Sequence, residues 1–81
     1  PILAAEQVRI SQKQLVGKKH TRMKVTGKDV TLQAIAFGML PEDIPDGPVD
    51  IAFTLQQNTY QSQNTLELQI QDVIRRERSD F

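Results

Sequence analysis

Every apolar run in this chain that is long enough to signal structure alternates with polar residues at period two. Val8 and Ile10 are interleaved with Arg9, Ser11 and Lys13; Met23 and Val25 with Arg22, Lys24 and Thr26; Ile51, Phe53 and Leu55 with Ala52, Thr54 and Gln56; Leu66, Leu68 and Ile70 with Glu67, Gln69 and Gln71. This is the pattern of half-buried strands, and it excludes a helical fold. The expected strands are Glu6–Gln14, His20–Thr26, Val30–Phe37, Asp50–Gln57 and Asn64–Gln71. Leu15 and Val16 break the parity of the first, which predicts a bulge or bend at Gln14–Val16, with Gly17 opening a loop.

Gly27-Lys28-Asp29 reads as a tight turn, so the second and third strands form a hairpin. With Gly27 and Lys28 as its two loop residues, Val25 faces Val30, Met23 faces Leu32 and Thr21 faces Ala34 on an apolar inner side. Lys24 then faces Thr31, Arg22 faces Gln33 and His20 faces Ile35 on a polar outer side. Residues 38–48 hold three prolines and two glycines and admit at most one helical turn, at Pro41–Ile44. Residues 58–63 read as a polar loop. The expected core is Met23, Val25, Leu32, Phe53, Leu55, Leu66, Leu68 and Ile70; Phe37 has outward parity and belongs either to the ligand face or, through a bulge near Ala34, to the core.

Five strands in 81 residues make one small domain, all-β, and suit a closed barrel. The long first strand, the hairpin and the break before the fourth strand favour the five-stranded oligonucleotide/oligosaccharide-binding (OB) plan, a Greek-key barrel, over an SH3-like barrel. The chain has no cysteine and one histidine, which excludes thiolate chemistry, disulfides and a His-rich metal centre. No apolar run approaches a membrane span; a cytoplasmic, monomeric domain with no membrane partner is expected.

The net charge of zero hides a segregation. Arg9, Lys13, Lys18, Lys19, Arg22, Lys24 and Lys28 face Glu6 alone within residues 1–28, whereas residues 29–74 carry seven acids and no Lys or Arg. Such a chain either pairs its opposite charges across strands or presents a cationic side to a polyanion. Asp43, Asp46 and Asp50 read as a solvated acidic turn and not as metal ligands. His20 has neither partner nor pocket for general-base work and is placed on the ligand face. No catalytic and no metal-binding residue is expected.

Val16-Gly17, His20-Thr21-Arg22-Met23, Gln33-Ala34-Ile35-Ala36-Phe37-Gly38-Met39, Val49-Asp50-Ile51-Ala52-Phe53-Thr54-Leu55, Asn58-Thr59-Tyr60, Leu66-Glu67-Leu68 and Asp72-Val73 together resemble the OB-fold domain of RecJ, a family of bacterial 5′ to 3′ exonucleases specific for single-stranded DNA. The resemblance runs from about Ala5 to Ile74. Ser62 stands where that family tends to carry glycine, and Glu67 where it tends to carry glutamine. It implies one OB-fold domain, residues 1–81, excised from a larger nuclease chain. Catalysis, and the magnesium or manganese that supports it, would belong to other domains, so no cofactor is expected in this one. The expected function is to bind single-stranded DNA and guide it to that core, with other domains of the parent nuclease as further partners. The alternative is a structural barrel that docks against those domains without touching DNA. The expected contacts are Arg9, Lys13, Lys18, Lys19, His20, Arg22, Lys24 and Gln33, with Tyr60 as the stacking ring.

Overall fold

In the computed structural model the alternating segments become five strands: β1 (Leu3–Val16), β2 (His20–Gly27), β3 (Val30–Ala36), β4 (Val49–Tyr60) and β5 (Gln63–Arg75). The structure describes residues 1–60 and 63–75, with the side chains of all of these but 58–60, 63 and 75. The strands close into one barrel in the order β1-β2-β3-β5-β4, antiparallel except where β3 runs parallel to β5. The all-β, five-stranded barrel expected from the alternation is the fold, with a single 3-10 turn at Pro41–Asp43 between β3 and β4.

Closure depends on β1, which changes partner along its length. Leu3, Ala4, Ala5 and Val8 pair with β4, and Arg9 to Val16 pair with β2. Two bulges bend the strand between these tasks. Glu6 and Gln7 stand against Asp50 alone, and Gln12 and Lys13 against Met23 alone; Gln7 (φ 55°) and Gln12 (φ 52°) take the left-handed backbone. An extra residue on one strand bends it and sharpens its twist, which curls β1 from one neighbour to the other. The break expected at Gln14–Val16 therefore lies upstream. The changed parity of Leu15 and Val16 records a residue inserted before them.

The β2–β3 hairpin turns at Lys28 and Asp29, one residue later than expected, and Lys28 (φ 53°) adopts the left-handed conformation assigned to glycine. Gly27 instead pairs with Val30, where a Cβ would meet Val8 Cγ1 at 3.4 Å. The register moves by two, so every residue keeps its face and changes its neighbour. Met23 now faces Ala34, Lys24 faces Gln33 and Arg22 faces Ile35.

The core gathers Val8, Ile10, Met23, Val25, Ala34, Ala36, Val49, Ile51, Leu68 and Ile70, with Ile44 closing one end of the barrel. Leu32 and Phe53 pack against this cluster partly buried, whereas Leu55 and Leu66 are 48% and 55% exposed. Their inward parity is correct, but β4 and β5 outrun their neighbours. The β1 pairing of β4 reaches only Phe53, and the β3 pairing of β5 begins at Glu67. Beyond those points the two strands pair only with each other, through Asn58 with Thr65 and Tyr60 with Gln63. Of residues 58–63, expected as a polar loop, 58–60 and 63 instead continue the β4–β5 pairing, and residues 61 and 62 lie outside the described residues.

Phe37 lies just past the end of β3 and is 52% exposed. The β2–β3 register is unbroken, so no bulge turns it inward. Ile44, only 1% exposed, follows the 3-10 turn and joins the core from the connection between β3 and β4. Ile44→Val should lower stability by about 1 kcal/mol, checked by urea denaturation, because one methylene leaves a closed site.

Candidate functional site

Antiparallel pairing sets the outward residues of β1, β2 and β3 side by side. Ser11, Lys24 and Gln33 form one row across the three strands, and Gln14, Arg22 and Ile35 the next. Two residues of extended chain separate the rows by roughly 7 Å. Between them the β1 bulge leaves Gln12 and Lys13 opposite Met23, and the misfit opens a pocket of about 160 Å³ lined by Gln12, Gln14, Arg22, Met23, Lys24 and Gln33. The side chains of Gln12, Gln14, Arg22, Lys24 and Gln33 make no hydrogen bond or ion pair with any described residue.

The cations extend the site in both directions. Lys18 and Lys19 project from the turn between β1 and β2, and Arg9 lies beside Thr26 at the other end of the ladder. All three are exposed and also unpaired among the described residues. The line from Lys18 to Arg9 follows β2 for roughly 20 Å. Among the described residues no acid pairs with Arg9, Lys18, Lys19, Arg22 or Lys24 across the strands. Lys13 differs: its Nζ donates to the Ile44 carbonyl and pairs with Asp46 Oδ1 at 2.8 Å. The bulge sends it toward the loop that plugs the barrel and away from the other cations.

His20 is held at the head of β2. The Gly38 N–H donates to its Nδ1 at 2.9 Å, and the exposed Phe37 ring meets it edge-on with centroids 5.2 Å apart. An accepting Nδ1 puts the proton of the neutral ring on Nε2. Phe37, which the sequence left open between core and ligand face, stands on the ligand face. Its outward parity was the signal for that side. Tyr60, expected as the stacking ring, has a side chain outside the described residues. On the far flank Glu67 is buried between Gln33 and Gln56, and Gln56 Nε2 donates to Gln69 Oε1 across β4 and β5. Those glutamines knit the barrel wall. Gln12 and Gln14 were not singled out, because glutamine in a strand carries no signal of its own and only the bulge brings them together.

A family model described as the RecJ OB domain matches residues 1–72. The chain belongs to the RecJ OB domain family. Neither the curated proteins nor the solved structures gave a significant match. Within this RecJ OB domain the acidic loop serves the fold: Asp46 pairs with Lys13, and Asp50 Oδ1 accepts the Gln7 N–H at 3.0 Å. Among the described residues no group of three or more His, Asp or Glu side chains is placed to hold a metal ion.

A second surface has the opposite chemistry. At the hairpin end of the barrel a hollow of about 300 Å³ is lined by Leu3, Val30, Leu32, Phe53, Leu55 and Leu68, among others.

Proposed function

We propose that this RecJ OB domain is a single-strand-binding accessory module, holding DNA by its phosphates and guiding it toward a catalytic core on other domains of a RecJ-like 5′ to 3′ exonuclease. The observation that supports this reading is the line of Lys18, Lys19, Arg22, Lys24 and Arg9 along β2 and the turn before it, unpaired among the described residues. Phosphate contacts need side chains of this kind, free of internal partners and spaced along an extended track. Stacking is sparse, with Phe37 beside His20 as the described aromatic group on this side. Affinity should therefore be on the order of micromolar or weaker at physiological salt, as for non-specific contacts, with little sequence preference.

The test is titration of a fluorescent oligodeoxynucleotide with the 81-residue chain at rising sodium chloride. The logarithm of the association constant should fall linearly with the logarithm of salt, by about 0.7 for each phosphate engaged, and the strand should stay intact in magnesium or manganese. Absence of binding at 50 mM salt, or binding indifferent to salt, would reject the reading. A second reading has its own observation behind it. The hollow at Leu3, Val30 and Leu55 would be buried by an apolar segment from another domain of the same nuclease, making the barrel a docking unit. Under that reading the oligonucleotide does not bind.

A further inference from the structure

The pocket at the β1 bulge is an open depression on the barrel surface, floored by the buried Met23 and walled by exposed or half-buried polar side chains. Its walls are two cations, Arg22 and Lys24, and three amides, Gln12, Gln14 and Gln33, with Met23 between them. All five polar side chains are free of partners among the described residues. We propose that this pocket seats one phosphodiester group of a bound single strand, with the Gln12 and Gln14 amides donating to its oxygens alongside Arg22 and Lys24. The proposal rests on the single-strand-binding reading above, and adds the group that is seated and two residues that seat it.

The chemistry of the walls selects the occupant. Guanidinium, ammonium and amide nitrogens are all donors, no carboxylate lines the pocket, and an anionic oxygen is the acceptor such a set binds best. A nucleobase would need a flat face to stack on, and no aromatic ring is among the lining residues. The left-handed backbone at Gln12 (φ 52°) belongs to the bulge itself and recurs at Gln7 (φ 55°) in the other bulge of β1. Gln12 has a long amide arm, and the same bulge separates it from Lys13, which turns to Ile44 and Asp46.

The experiment compares the 81-residue chain with a Gln12→Gly/Gln14→Thr variant. Glycine relaxes the left-handed position and threonine suits an exposed strand, so the variant should melt at or above the wild-type temperature. Its affinity for a fluorescent oligodeoxynucleotide should fall about five- to tenfold, since hydrogen bonds to a charged group are lost. The salt slope should stay as in the wild type, because neutral amides release no counterions. In parallel, 15N–1H spectra of the wild-type chain should show the side-chain amides of Gln12, Gln14 and Gln33 shifting on addition of an abasic deoxyribose-phosphate strand. Unchanged affinity in the double variant, while Arg22→Gln/Lys24→Gln weakens binding, would overturn the seat and leave the binding reading standing. Amides that shift only with a base-bearing strand would make the pocket a base site and overturn the proposal as well. A wild-type chain that binds neither strand would remove both readings together.

Discussion

Replacing Gly47 by alanine should lower the unfolding free energy by about 3 kcal/mol or more, a large part of the roughly 4 to 12 kcal/mol expected of a domain this size. Gly47 has a φ of +115°, and a Cβ added there would lie 2.7 Å from the Val8 carbonyl oxygen and 3.0 Å from Arg9 Cα. Both obstacles are backbone in β1, so neither can swing aside. Relief requires the loop to move off the strand. That movement would break the bond from the Ile10 N–H to the Asp46 carbonyl, 2.7 Å long, and loosen the Lys13–Asp46 pair. The proper control is Gly38→Ala, at a φ of +75° with nothing within 4 Å of the added Cβ. It gives the cost of a side chain close to the left-handed helical region, about 1 to 2 kcal/mol, against which the more extreme φ and the close approach at Gly47 are read together. Urea denaturation of the three proteins checks this: equal midpoints for Gly47→Ala and Gly38→Ala would show that the close approach to β1 contributes nothing.

The inward and outward faces of the strands were legible because burial on one side of a sheet leaves a period-two record. Met23, Val25, Leu68 and Ile70 are buried as their parity required, and Arg22 and Lys24 face out. What parity does not encode is where a strand leaves the barrel. Leu55 and Leu66 have the same pattern as Phe53 and Leu68, yet lie beyond the ends of the neighbouring pairings. Nor does it fix a hairpin register, since a shift of two returns every residue to its face. The turn at Lys28-Asp29 and the expected one at Gly27-Lys28 predict the same inner and outer sets.

The binding face was legible as charge and not as shape. Arg9, Arg22 and Lys24 fall on the outward side of the β1–β2 ladder because their parity matches, and Lys18 and Lys19 extend that line from the turn between the two strands. Lys13 leaves that set because a bulge reverses its side, and a left-handed glutamine gives no sign of itself in composition. The same insertion brings Gln12 and Gln14 beside Arg22 and Lys24. Thus one extra residue in β1 accounts both for the lost contact and for the two gained ones, and with the bulge at Glu6–Gln7 it bends the strand from β4 to β2.

Exchanging Lys18, Lys19, Arg22 and Lys24 together for glutamine should reduce single-strand binding below detection at physiological salt. Lys18, Lys19 and Arg22 are exposed, Lys24 is half-buried, and none has an internal partner among the described residues, so the fold should be retained with a melting temperature near wild type. That separates loss of binding from loss of structure. At low salt, where residual binding is measurable, the slope of log affinity against log salt should shrink by about 0.7 for every phosphate contact removed. Lys13→Gln is the informative comparison. Its ammonium serves Asp46 and the Ile44 carbonyl, so this change should loosen the loop slightly and leave the salt slope of binding intact. The pair is surface-facing through Asp46, 81% exposed, and such pairs contribute little to stability. Were the quadruple variant to bind as tightly as the wild type, the cationic ladder would face another domain of the nuclease, and the barrel would be a docking unit.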